Sequence, residues 1–257
     1  LGDAREAAFE RMDELGDALA LPDAMDALRA SVAHLTAVPG DEPLTEAARI
    51  VGAIAVFATA WGRGTSRVPP NARLPHAADY LRMTSTRAPS PAEVAALDAY
   101  LVTVIDHGMN ASTFAARVVA STASDTVSAV VAGIGALKGK LHGGAPGPVL
   151  DMLDAIGEPE AARAWLSETL CRRERIMGMG HRIYRVRDPR AFVLERALAQ
   201  LEAASTARSL IGHRLRLARA VEKEAEIQLA AHHPERPLKA NVEFYTAVLL
   251  EAVGLPR

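Results

Sequence analysis

Aromatic side chains are scarce in this sequence, 4% of 257 residues, and there is a single cysteine, Cys171. Few aromatics beside abundant alanine and leucine favour closely packed helices over sheet, where aromatic and β-branched residues gather. One cysteine excludes an internal disulfide and a cysteine-held metal cluster, so a reducing, cytoplasmic setting is expected and no metal is. Neither sign of charge dominates: 29 Lys and Arg face 31 Asp and Glu, a formal net charge of −2. Such a balance gives no global pull toward nucleic acid or an anionic membrane, so any anion site must be local. No stretch has the signature of a signal peptide, and none joins membrane length to absence of charge. Val118 to Leu137 comes nearest, but it carries Asp125 among small residues and suits a buried helix better.

What the chain does have is apolar content, 49% of residues, enough for a substantial core and one or two domains. Apolar residues recur at three- and four-residue spacing through Ala4 to Leu19, Asp23 to Leu35, Thr45 to Trp61 and Ala77 to Met83, which predicts helices. Gly62 to Pro75, with Gly64, Pro69, Pro70 and Pro75, reads as loop. Ser90-Pro91-Ala92-Glu93 is a helix start, with Ser as N-cap, Pro at the first position and Glu three residues on. The small-residue run from Asn110 to about Gly139 predicts one central buried helix. Helical patterns continue over Pro148 to Ile156, Glu160 to Glu174, Asp188 to Ala203 and Leu210 to Ala231, and a last helix opens at Asn241. No strand pattern or internal repeat is present, so the fold class is all-α.

Five places could carry chemistry. His142 lies in Leu141-His142-Gly143-Gly144, where glycines clear space for a ligand and histidine exchanges protons near neutrality. Met177-Gly178-Met179-Gly180-His181-Arg182-Ile183-Tyr184-Arg185 offers backbone amides and cations of the kind a phosphate-bearing ligand needs. In Asp188-Pro189-Arg190, Asp caps a helix whose first turn holds an arginine; a bound carboxylate or pairing with Asp188 accounts equally for that cation. Glu243 opens the last helix, where dipole complementarity alone would favour it, and His107 precedes the small-residue run.

Taken together these blocks resemble the citrate synthase family. The resemblance runs through Leu74-Pro75-His76, Asp106-His107 to Thr122, Gly135 to Ala145, Met177 to Arg190 and Asn241-Val242-Glu243-Phe244-Tyr245, in the family's order and over nearly the whole chain. It implies an all-α fold of two domains, a large one over 1–144 and a small one over 145–257, and a homodimer joined through central helices. It implies condensation of acetyl-CoA with oxaloacetate and hydrolysis of citryl-CoA to citrate, with no permanently bound cofactor. By resemblance, His142 donates a hydrogen bond to the thioester oxygen, Glu243 removes a methyl proton, and His181 polarises the ketone and protonates the new alkoxide. His107 and Arg190 hold oxaloacetate carboxylates; the backbone at Gly178 and Gly180 contacts CoA, and Arg185 reaches its phosphates.

Three positions depart from the family pattern: Glu243 where Asp is usual, Gly108 where Glu is common, and Met177 where Pro is common. The extra methylene of Glu243 moves the carboxylate by about an ångström, a misplacement on the order of 10²-fold in rate unless the backbone compensates. Two other readings therefore stand beside citrate synthase. One is a 2-methylcitrate synthase using propionyl-CoA, since a methyl group is worth only about 1–3 kcal/mol of discrimination. The other is a related protein that binds its ligands with little turnover. The sequence opens on Leu1 and holds no match to the family's opening segment or its C-terminal helical segment, so these residues alone are expected to be a poor catalyst.

Overall fold

The computed structural model describes residues 1–257 apart from 39, 86, 140, 141, 143–145, 181–185, 206, 207, 236, 237 and 257, with backbone alone at 208 and 209. Among the described residues every regular element is helical, as the composition predicts; the one strand-like pairing is an antiparallel bridge of Met179 with Ala240. The α-helices are α1 (Gly2–Glu10), α2 (Ala24–Ala33), α3 (Pro43–Arg63), α4 (His76–Thr84), α5 (Pro91–Val104) and α6 (Ala111–Ala120). Then come α7 (Thr126–Leu137), α8 (Pro146–Ile156), α9 (Ala162–Cys171), α10 (Pro189–Ala204), α11 (Arg208–His232) and α12 (Val242–Ala252). Two compact units form: Leu1–Pro89 with His107–Gly143, and Ser90–Asp106 with Gly144–Arg257. A division at 144 would leave Ser90–Asp106 in the first unit. It groups with the second because α5 packs on α10 and α12.

In the first unit α3 is the hub, touched by α1, α2, α4 and α7. Its length and composition would suffice to cross a membrane, but Ile50, Ala53, Val56, Phe57 and Ala60 fall at helical spacing and are buried within the unit. α1 approaches it so closely that a Cβ on Gly52 would lie 2.8 Å from that of Ala4. Arg5, on α1, is 0% exposed and donates from Nε to Asp79 Oδ2 at 2.8 Å and from Nη2 to the carbonyls of Asn71 and Leu74. Asp79 also accepts from the Asn71 amide and from Arg82. This buried pair is how the loop before α4, too rich in proline for regular structure, is held in place.

Two predicted elements come out differently. Asn110 to Gly139 is not one buried helix: α6 ends at Ala120, the chain turns through Ala123 at φ +62°, and Asp125 caps α7 by accepting from the Ser128 amide at 2.8 Å. The hydroxyls and carboxylate of Ser121 to Thr126 compete with the helical backbone bonds and favour a stop and a new start. No residue of α6 is buried within the chain, although α6 and α7 pack together. The first pattern also stops early, at Glu10, and gives way to 3-10 turns over Met12–Leu15 and Ala18–Ala20.

In the second unit α12 is the buried centre: Val242, Phe244, Tyr245, Ala247, Val248 and Leu249 are all enclosed, with α5, α8, α10 and α11 around them. The capping box read at Ser90 forms at the start of α5, with Ser90 accepting from the Glu93 amide and Glu93 from the Ser90 amide.

Candidate functional site

Each unit holds part of the predicted site. In the second unit, Asn241 begins α12: its Oδ1 accepts from the Glu243 amide at 3.0 Å, and its Nδ2 donates to the Gly180 carbonyl at 3.0 Å. The Gly178–Gly180 segment runs antiparallel to 239–241, with Gly180 N–H donating to Lys239 O (2.7 Å) and Asn241 N–H to Gly178 O (3.0 Å). Both glycines have positive φ, +72° and +89°. A Cβ on Gly178 would lie 2.8 to 3.1 Å from atoms of Phe244, including its Cα, and one on Gly180 would lie 2.9 Å from Leu238. The close approach that these glycines permit is thus to the protein's own chain. The Gly180 amide, read from the sequence as open to a ligand, is engaged with Lys239. His181 and Arg185 lie outside the described residues.

Glu243 is half-buried in the first turn of α12. Burial raises its carboxyl above the ordinary range; the Arg190 charge opposes that shift and the Asp188 charge adds to it. Asp188, 1% exposed, caps α10 and accepts from the Arg190 amide (3.0 Å), Nε (3.1 Å) and Nη2 (2.8 Å). Of the two readings open for Arg190, pairing with Asp188 is therefore present. Its two-pronged grip also aims the guanidinium, within electrostatic reach of Glu243. The second unit brings Arg190 and Glu243 together, with the Gly178–Gly180 segment packed on the residue next to Glu243.

In the first unit, His142 is half-buried, and its amide donates to Gly139 O at 2.8 Å. Its Nε2 receives the backbone N–H of Ser112 at 3.3 Å and touches the Ser112 hydroxyl. Asn110 caps α6 by accepting from the Thr113 amide at 2.8 Å, so Ser112 lies in the first turn, where amides lack helical partners. An Nε2 that accepts leaves the proton of the neutral ring on Nδ1, where it is available to donate. His107 is exposed in the loop ahead of α6, and Gly108 beside it has φ +62°, a conformation a glutamate there would resist.

Residues 3–257 match the protein family described as citrate synthase, C-terminal domain. The chain belongs to the citrate synthase family. A putative citrate synthase 2 of Mycobacterium tuberculosis is 45% identical over 168 residues, covering 65% of this chain and 43% of its own length. The 2-methylcitrate synthase of Mycobacterium tuberculosis is 41% identical over 210 residues, covering 77% of this chain and 53% of its own. The chain thus spans about half the length of these citrate synthase relatives. Among solved structures, a ternary complex of carboxymethyl coenzyme A and oxaloacetate with the citrate synthase of Thermoplasma acidophilum has a TM-score of 0.82 at 25% identity, covering 99% of this chain and 69% of its own.

Two residues, one in each unit, have a part that the sequence did not assign to them. Ser112 had a usable signal, since a residue two past an N-cap Asn has a free amide. Asp188 was read as a cap and as one of two partners open to Arg190; its effect on Glu243 depends on Asp188 donating its backbone amide to Ala240 O at 3.2 Å, two positions before α12, which no local pattern announces.

Proposed function

We propose that this chain carries the condensing chemistry of citrate synthase, acetyl-CoA with oxaloacetate and water giving citrate and CoA, in a cytoplasmic transferase. The observation that carries the reading is Glu243: a half-buried carboxylate, raised in basicity by burial, at a helix start that also holds Arg190 nearby. A thioester α-proton is very weakly acidic, so a base of raised pKa is useful only if the forming enolate is stabilised. His142, whose Nε2 accepts from the Ser112 amide and so leaves the ring proton to Nδ1, is suited to donate to the thioester oxygen. The enol carbon then attacks the ketone of oxaloacetate, His181 gives the alkoxide its proton, and water cleaves the citryl thioester to release CoA. Arg190, aimed by Asp188, and His107 suit the oxaloacetate carboxylates. The oxaloacetate and CoA analogue named for the Thermoplasma acidophilum enzyme support this substrate pair.

A homodimer fits the same reading, because Phe114 and Val118 on α6 are 63% and 49% exposed and would be covered by a second copy. The similarity to a 2-methylcitrate synthase favours one alternative, propionyl-CoA as the acyl donor. Thiol release by the full-length protein, measured with acetyl-CoA and propionyl-CoA beside Glu243→Gln, tests both. Release with acetyl-CoA that Glu243→Gln loses supports the citrate reading, and faster release with propionyl-CoA supports the alternative. Oxaloacetate binding with no thiol from either would leave a binding protein.

A further inference from the structure

A cluster of charged side chains has members one residue from Asp188 and two residues from Glu243. Arg187, just before Asp188, donates from Nε and Nη2 to Glu222 of α11 at 2.6 and 2.9 Å and from Nη2 to Glu195 of α10 at 2.7 Å. Tyr245, two residues after Glu243 and fully buried, donates its hydroxyl to Glu222 at 2.7 Å, and the Arg187 guanidinium lies 5.2 Å from its ring centroid. Arg219 completes the set, donating to Glu195 at 2.7 Å. Two carboxylates and two guanidinium groups leave the cluster neutral, and it ties α10, α11 and α12 to the segment that delivers Asp188.

We infer that Arg187, Glu222 and Tyr245 are positioning residues that set the rotation and height of α12 and thereby the place of the Glu243 carboxylate. The inference rests on Glu243 being the proton acceptor. Positions 243 and 245 are about 200° apart around a helix, so the cluster acts on Glu243 through the backbone and not by touch. Apolar contact alone would bury the Tyr245 ring; the hydroxyl adds direction, and the two-pronged contact of the partly buried Arg187 with Glu222 adds a fixed geometry. Phe244 carries the same setting onward: its ring meets Tyr245 edge-on at 5.3 Å, and its main chain abuts Gly178.

In the full-length protein, Tyr245→Phe is expected to lower kcat for thiol release about tenfold while the KM for oxaloacetate moves less than about threefold. The titration of the Glu243 carboxyl, followed by carboxyl-selective NMR and identified by its loss in Glu243→Gln, is expected to shift in the same variant. Glu222→Gln is expected to repeat both effects, with circular dichroism verifying that each variant is folded. Wild-type kcat and an unmoved Glu243 titration in either folded variant overturn the inference. A wild-type protein that releases no thiol, or a fully active Glu243→Gln, defeats the assignment of the base instead, and the NMR titration still decides whether the cluster sets its position.

Discussion

Replacing Gly178 by alanine tests the packing of the site against its own chain. Two costs add. The backbone there has φ +72°, a left-handed conformation that costs an L-residue about 1–2 kcal/mol. The new methyl would also lie 2.8 Å from Phe244 Cδ2, 2.9 Å from its Cβ and 3.1 Å from its Cα. A ring can rotate away but a Cα cannot, so relief requires the start of α12 to move, and overpacking of this kind costs about 1–3 kcal/mol. The sum is about 2–5 kcal/mol of stability, a large part of what a native protein has. Because Phe244 follows Glu243, the same movement displaces the carboxylate, and thiol release is expected to fall by a factor of about 10 to 100. Urea unfolding with linear extrapolation measures the first effect and a thiol assay below the unfolding transition measures the second. Gly62→Ala is the control: Gly62 is helical with open space around a Cβ, so alanine there gains about 0.5–1 kcal/mol. Gly178→Ala within about 0.5 kcal/mol of wild type would refute the reasoning.

Two further outcomes follow from buried charge. Asp79→Ala leaves the fully buried Arg5 guanidinium without its counter-ion and is expected to cost about 3–5 kcal/mol, read by denaturant unfolding; a change below about 1 kcal/mol would mean that the pair is not desolvated as drawn. For Glu243 the folded-state pKa is raised, so above it the native protein holds a charge that burial disfavours, and below the ordinary carboxylate range both states are protonated. Glu243→Gln is therefore expected to be more stable than wild type at neutral pH, with the gain shrinking as pH falls through the raised pKa. A gain that grows on acidification would contradict that sign.

How much was legible in advance depends on range along the chain. The caps at Ser90 and Asp188 and the helix start at Asn241 were readable because a cap is a contact within three residues, and each forms. The cap at Asp125 obeys the same rule, yet the small apolar residues on either side disguised it as the interior of a longer helix. Pairing of Arg190 with Asp188 was one of two open readings for the same local reason. By contrast Arg5 meets Asp79 across 74 positions and Arg187 meets Glu222 across 35, and no periodicity selects those partners from the other acids and bases.

The sequence by itself determined the helical class, most helix starts and membership of the citrate synthase family, because propensity, capping and motif order are written in near neighbours. Only the tertiary structure decided which charges leave water and which carboxylate becomes the stronger base. Desolvation depends on distant segments meeting, and the same glutamate in an exposed helix would have an ordinary pKa.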